Sequence, residues 1–172
     1  MTLGLVTGWL RHSPGRVLAA LCAVCLGLLT FGLYLQHVVG LNPCPMCIVQ
    51  RYALFLVAIM AGLTSLAQRR SLILSGIAFM LTISGFGAFV AARQSWLQWY
   101  PPEVSVCGRD LYGMIEMFPL QRVIPMVFKG SGDCTAIDWT FLGGSIANWS
   151  FMSFMGITVL SLALLWQQSR AR

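Results

Sequence analysis

Asn42-Pro43-Cys44-Pro45-Met46-Cys47-Ile48-Val49-Gln50-Arg51 lies between two long apolar runs, and the chain reads as a frame around it. Two cysteines three positions apart stand at the mouth of a membrane-length run, followed by an arginine. Asn42 is a good N-cap and Pro43 suits the first helical position. On that reading the second helix starts at the motif, with Cys44 and Cys47 in its first turn. Unpaired N–H groups and the positive end of the helix dipole lie there. Both favour thiolate over thiol, and thiolate is the species that attacks disulfides. Cys44, Cys47 and Arg51, at i, i+3 and i+7, share one helical face. A guanidinium on that face can stabilise a Cys47 thiolate or donate to a carbonyl oxygen of a bound oxidant. It can equally be an arginine snorkelling at the membrane surface. The CxxC alone fits redox exchange, a structural disulfide or a metal pair.

Of the 172 residues, 58% are apolar and only 9% charged, against roughly 25% charged in a soluble domain. So few charges cannot cover a soluble surface, and the class is membrane protein. Apolar runs at about 17–35, 47–67, 72–92 and 149–166 each approach the roughly 20 residues that cross a bilayer core. The expected fold is all-α: one four-transmembrane-helix bundle over residues 1–172, with a short and a long outer loop. A signal peptide competes for the first run, because basic residues precede it. No convincing cleavage site closes it, so it reads as an uncleaved span. Ser84, Gly85, Gly87 and Ala88 in the third run are small enough for close helix approach. The net charge of +6 forms no basic face with stacking aromatics, so no nucleic-acid role is expected.

Arg11, Arg16, Arg69, Arg70, Arg170 and Arg172 fall on one side of a four-span topology. By the positive-inside rule that side is the cytoplasm. Both termini are then inside, and Asn42–Cys47 and the long loop, about 93–148, are outside. That loop holds every acidic residue: Glu103, Asp110, Glu116, Asp133 and Asp138. Trp96, Trp99, Tyr100, Trp149 and Trp166 lie near span ends, where aromatic belts belong. In a Gram-negative host the outer side is the periplasm, where disulfides persist.

Cys107 and Cys134 lie in the long loop. A disulfide between them would restrain it by roughly 3–3.5 kcal/mol in the chain-entropy model. It could be a simple staple, or a labile bridge accepting electrons from a soluble dithiol; exposure decides between them. Within the loop, residues 117–128 are apolar but too short to span and broken by Pro119 and Pro125, as expected of a short interfacial helix. Cys22-Ala23-Val24-Cys25 is a second CxxC, but it lies inside the first span, where cysteine behaves as a small apolar residue. His37 reads as an interfacial polar contact, and the scattered methionines as core filler. No metal site is expected.

These residues resemble the bacterial disulfide bond formation protein B (DsbB) family, inner-membrane quinone reductases that reoxidise DsbA. The likeness covers nearly the whole chain. It rests on Gln36-His37, Pro43-Cys44 through Cys47, Arg51 with Ala53-Leu54-Phe55, Tyr100-Pro101, Cys107, and Ser131-Gly132-Asp133-Cys134 leading to Trp139 and Phe141-Leu142-Gly143. The resemblance implies a protein-dithiol:quinone oxidoreductase of the bacterial inner membrane, with its active cysteines periplasmic. Its partners would be a periplasmic DsbA-like thioredoxin-fold oxidant, the membrane quinone pool (ubiquinone or menaquinone) and the lipid bilayer. Cys107 resembles the cysteine that DsbA attacks, and Cys134 its loop partner, able to exchange with Cys44. Cys47 looks like the quinone-proximal thiolate and Arg51 like the quinone-contacting arginine. Electrons would run from DsbA to Cys107–Cys134, then to Cys44–Cys47, then to quinone. The DsbA–DsbB–quinone route is what keeps the bacterial periplasm oxidising. Two positions depart from the pattern: Gln94 stands where some members carry a histidine near the quinone, and Gln50 where a glutamate can precede the arginine.

Other readings are a DsbB-like paralogue serving a dedicated partner, a quinone reductase resembling vitamin K epoxide reductase, and a non-enzymatic membrane protein binding a soft metal. The second places its quinone-side CxxC in a different helix order. The third lacks a histidine–cysteine cluster.

Overall fold

The computed structural model of the chain describes residues 14–101 and 132–170. Cys107 and the segment expected to carry an interfacial helix lie outside the described residues. The elements in chain order are α1 (Pro14–His37), α2 (Pro45–Ser65), α3 (Arg70–Trp99), the single turn α4 (Gly132–Thr135), strands β1 (Thr140–Phe141) and β2 (Gly144–Ser145), and α5 (Ile146–Arg170). The four long helices are each long and apolar enough to cross a membrane. They form the four-helix membrane bundle that the apolar runs predict.

Packing follows chain order. α1 lies on α2, α2 on α3, and α3 on α5, whereas no comparable interface joins α1 to α5 among the described residues. The bundle is therefore a ring open on one side. Its core draws Leu18 and Cys25 from α1, Val57 and Ala61 from α2, Ile77 and Met80 from α3, and Phe154 and Leu164 from α5. Large apolar side chains such as Leu63, Leu72 and Val159 are exposed, as expected of helices that face lipid. Close approach of α3 and α5 depends on Gly87, where a Cβ would sit 2.4 Å from the Phe154 ring. Ser84 on the same face accepts a hydrogen bond from the Thr158 hydroxyl at 3.0 Å.

α1 ends where Gly40 takes a left-handed φ of 81°, and Leu41 N–H returns to the Leu35 carbonyl at 3.1 Å. The chain thereby turns directly into α2. The helix does not start at Asn42 and Pro43 as the sequence suggests. Its N-cap is Cys44, followed by Pro45 at the first helical position. The cause is local: the Cys44 sulfur accepts the Cys47 backbone N–H at 3.2 Å, the bond a serine or aspartate cap usually makes.

α3 also differs from the apolar run that marks it, continuing to Trp99. Polar side chains end the apolar run at about Ala92, but the helix persists because one face remains packed. Gln94, Ser95 and Leu97 are buried while Trp96 and Trp99 are exposed. At the far end of the loop, α5 starts at Ile146. The Ser145 hydroxyl accepts the Asn148 N–H at 3.4 Å and caps it. Between the two, β1 and β2 form a hairpin pairing Thr140 with Ser145 and Phe141 with Gly144. Its turn residues Leu142 and Gly143 both have positive φ, at 50° and 79°, as a two-residue turn with right-handed strand twist requires. At the opposite end of the bundle, Arg70 donates to the carbonyls of Gln168 and Ser169 at 2.7 and 3.1 Å, capping the C-terminus of α5.

Candidate active site

CxxC spacing and N-capping coincide at the start of α2. Cys44 occupies the N-cap and Cys47 the third helical position, with Sγ atoms 2.6 Å apart and Cys44 donating. Cys134, from α4, is fully buried in the same cluster as Cys44, Met46, Val90 and Leu97. The two thiols share a side-chain hydrogen bond. Three of the four cysteines singled out in sequence thus meet at one point, with Cys44 between Cys134 and Cys47.

The environment of Cys44 corrects one expectation. Helix-start effects alone would favour its thiolate. Here hydrogen bonds to Cys134 and then to Cys47, followed by burial, hold the Cys44 thiol above its ordinary range.

Two glutamines complete the surroundings of the sulfurs. Gln94 Nε2 lies 3.2 Å from Cys44 Sγ and 3.2 Å from Cys47 Sγ. Its Oε1 accepts from Gln50 Nε2 at 2.7 Å. Gln98, one turn on, binds the segment after Cys134: its Nε2 donates to the Ala136 carbonyl at 3.4 Å, and its Oε1 accepts from the Ser145 hydroxyl at 2.6 Å. α3 thereby holds both the CxxC and the segment that follows Cys134.

On the other side of Cys47 lies a cavity of about 590 Å³, within the range of small-molecule sites. It fills the gap between α1 and α5. Phe31, Gly32 and Leu35 line it from α1, and Ile146, Trp149 and Phe154 from α5; α2 contributes Cys47, Gln50, Arg51 and Leu54. Trp139 and Phe141 cover its outer end. Aromatic contacts bridge the two helices there: Phe31 meets Trp139 edge-on at 6.0 Å, Trp139 stacks with Phe141 at 6.1 Å, and Phe141 meets Trp149 at 6.1 Å. Trp149 Nε1 donates to the Phe141 carbonyl at 3.0 Å and fixes this cover.

Arg51 is the single charged residue on the cavity wall among the described residues. Its guanidinium donates to Gln36 Oε1 and, at 3.3 Å, to the Gly32 carbonyl. Both partners are on α1, so the arginine is oriented across the site rather than extended into solvent. A smaller, more polar cleft of about 90 Å³ sits beside the cavity, lined by Cys44, Cys47, Gln94, Asp138 and Trp139 among others. Cys47, Arg51 and Trp139 belong to both spaces. The cavity fits a planar ring with a lipid tail: its walls are apolar, it lies on the open side of the bundle, and its donors converge at one end.

The inner CxxC packs elsewhere. Cys25 is fully buried in the helix core, and Cys22 faces Gly62 of α2. Sequence reasoning named the cysteines and Arg51. It assigned no role to Gln36, Gln50, Gln94 or the aromatic cover. Buried glutamines within apolar helices are a readable signal, because polar groups at membrane depth are costly and usually functional.

The family model for "Disulfide bond formation protein DsbB" matches residues 14–164. Among similar proteins, Disulfide bond formation protein B of Albidiferax ferrireducens is 66% identical over 172 residues, covering 100% of this chain and 99% of its own. The protein of the same name from a Polaromonas species is 66% identical over 159 residues, covering 92% and 95%. That of an Azoarcus species is 50% identical over 149 residues, covering 85% and 89%.

Proposed function

The chain belongs to the DsbB family of disulfide bond formation proteins, and on that premise we propose that it is a protein-dithiol:quinone oxidoreductase. It reoxidises a DsbA-like periplasmic dithiol and delivers two electrons to a membrane quinone. The observation that carries this reading is the position of Cys44, between buried Cys134 and the cavity-lining Cys47.

In the proposed sequence, a thiolate of the soluble partner attacks the Cys107–Cys134 bridge at Cys107 and releases Cys134 as thiolate. Cys134 attacks Cys44, forming a Cys44–Cys134 bond and breaking Cys44–Cys47. The electron pair of the broken bond stays on Cys47, one helical turn from Arg51. The second thiol of the partner then displaces Cys107, so the partner leaves oxidised. Cys107 then attacks Cys134, re-forming the loop bridge and releasing Cys44, and the Cys44–Cys47 bond closes again as the pair's two electrons and two protons go to a quinone. Over the cycle one dithiol becomes one disulfide and one quinone its hydroquinone. Bound quinone supplies the two-electron acceptor. Arg51, held by Gln36 and Gly32, would donate to it from the cavity wall, and the apolar walls would exclude water from the thiolate. For a two-electron couple each 30 mV of drop is about 1.4 kcal/mol, and a lipid-soluble acceptor requires the terminal thiol at the membrane.

In the proposed orientation the cysteine end faces the periplasm across the bacterial inner membrane, and both termini are cytoplasmic. The clustering of Arg16, Arg69, Arg70 and Arg170 at the other end supports it.

The test is disulfide mapping by mass spectrometry, after mixing quinone-depleted oxidised protein with a reduced thioredoxin-fold dithiol. A peptide joining Cys44 to Cys134 is expected. Reduction confined to Cys107 and Cys134, with Cys44–Cys47 untouched, would contradict the relay.

A further inference from the structure

Gln50 and Gln94 are buried, at 5% and 3% exposure, and come from different helices. Gln50 lines the apolar cavity and Gln94 the polar cleft. A buried amide must satisfy both its ends. Gln50 donates to Gln94 Oε1, which leaves the Gln94 NH₂ pointing at the sulfurs. The arrangement has a direction: the bond from Gln50 to Oε1 fixes which end of the Gln94 amide faces the cysteines.

We infer that Gln94 is a catalytic hydrogen-bond donor to the Cys44–Cys47 sulfurs, and that Gln50 is the positioning residue that aims it. The inference rests on the relay proposed above and adds to it the donor that stabilises the charge developing on the sulfur. A disulfide sulfur is a weak acceptor, whereas a thiolate is a strong one. A donor aimed at the pair therefore gains strength as the Cys44–Cys47 bond breaks, which is the differential stabilisation that accelerates a step. Being an amide, Gln94 stays a neutral donor at every working pH. Among the described residues, the other charged or titratable groups around the sulfurs are Arg51 on α2, Cys134 on α4 and Asp138 in the cleft. None of them replaces an N–H fixed against both sulfurs.

The test is the pH dependence of alkylation at each cysteine of the reduced, quinone-free full chain in detergent, read by peptide mass spectrometry. Gln94→Met and Gln50→Met keep side-chain length while removing the amide. Gln94→Met is expected to move the alkylation midpoint of the Cys44–Cys47 pair upward by roughly tenfold in proton concentration. Gln50→Met is expected to move it in the same direction by less, and it reads the dyad independently should Gln94→Met fold poorly. A wild-type profile in folded Gln94→Met, or a shift in Gln50→Met with none in Gln94→Met, overturns the inference. The readout needs neither quinone nor partner. A wild-type protein that fails to reduce quinone would thus count against the proposed function, and an unmoved profile against the glutamine assignment alone.

Discussion

The Cys44 sulfur caps the helix that carries Cys47, accepting its backbone N–H at 3.2 Å. One residue thus terminates a helix and joins a redox pair. Substitutions at Cys44 separate the two roles. Serine retains a capping oxygen; alanine does not. Cys44→Ala should lose about 1 kcal/mol more than Cys44→Ser, read as thermal midpoint in detergent, while both variants should fail to pass electrons to quinone. Equal stability of the two would show that the cap contributes nothing.

The proton on Cys44 gives the reduced protein a pH signature. The Cys134 and Cys47 contacts and burial raise its folded pKa above the ordinary 9.0. A group whose pKa is raised on folding contributes stability fully below its unfolded value and loses it as pH rises. The thermal midpoint of the reduced protein should therefore fall as pH climbs past about 9, and Cys44→Ser should show a smaller fall. A reduced wild type as stable at pH 10 as at pH 8 would contradict the assignment.

Gly87 and Gly85 form an internal comparison. A methyl at Gly87 would meet the Phe154 ring, whereas a Cβ at Gly85 meets nothing within 4 Å. Gly87→Ala should cost about 1–3 kcal/mol by overpacking, and Gly85→Ala should gain about 0.5–1 kcal/mol from helix propensity. Because Phe154 also lines the cavity, Gly87→Ala should raise the KM for quinone as well. Matching thermal midpoints for the two variants would rule out the tight α3–α5 contact.

Arg51 is aimed by Gln36. Arg51→Leu should raise the KM for quinone by about tenfold or more, given the roughly 1.5–3 kcal/mol of a hydrogen bond to a charged group. Gln36→Met should raise it by less, since the Gly32 carbonyl remains as a partner. Steady-state quinone reduction measures both. An effect of Gln36→Met exceeding that of Arg51→Leu would mean Gln36 acts on its own account.

The bundle was legible in the sequence because hydropathy over a whole span is a local, additive signal. The CxxC and Arg51 were legible because i, i+3, i+7 spacing fixes a shared face. The start of α2 was misread by one turn-forming unit. Asn42-Pro43 and Cys44-Pro45 both offer a cap followed by proline, and only the bond from Cys47 N–H to the Cys44 sulfur decides between them. The Gln50–Gln94 contact joins residues 44 positions apart, so no local pattern could announce it. The cavity arises where α1 and α5 fail to close the ring. That is a property of packing order, and neither helix reveals it alone.

The most direct measurement is the rate of quinone reduction, followed by absorbance, with a reduced DsbA-like dithiol as electron donor. It compares wild type, Cys47→Ser, Cys107→Ser and Cys22→Ser. Wild type and Cys22→Ser should turn over while Cys47→Ser and Cys107→Ser do not. Turnover surviving in Cys47→Ser, or a wild type inactive with both ubiquinone and menaquinone, would contradict the relay from the loop cysteines through Cys44 to the membrane.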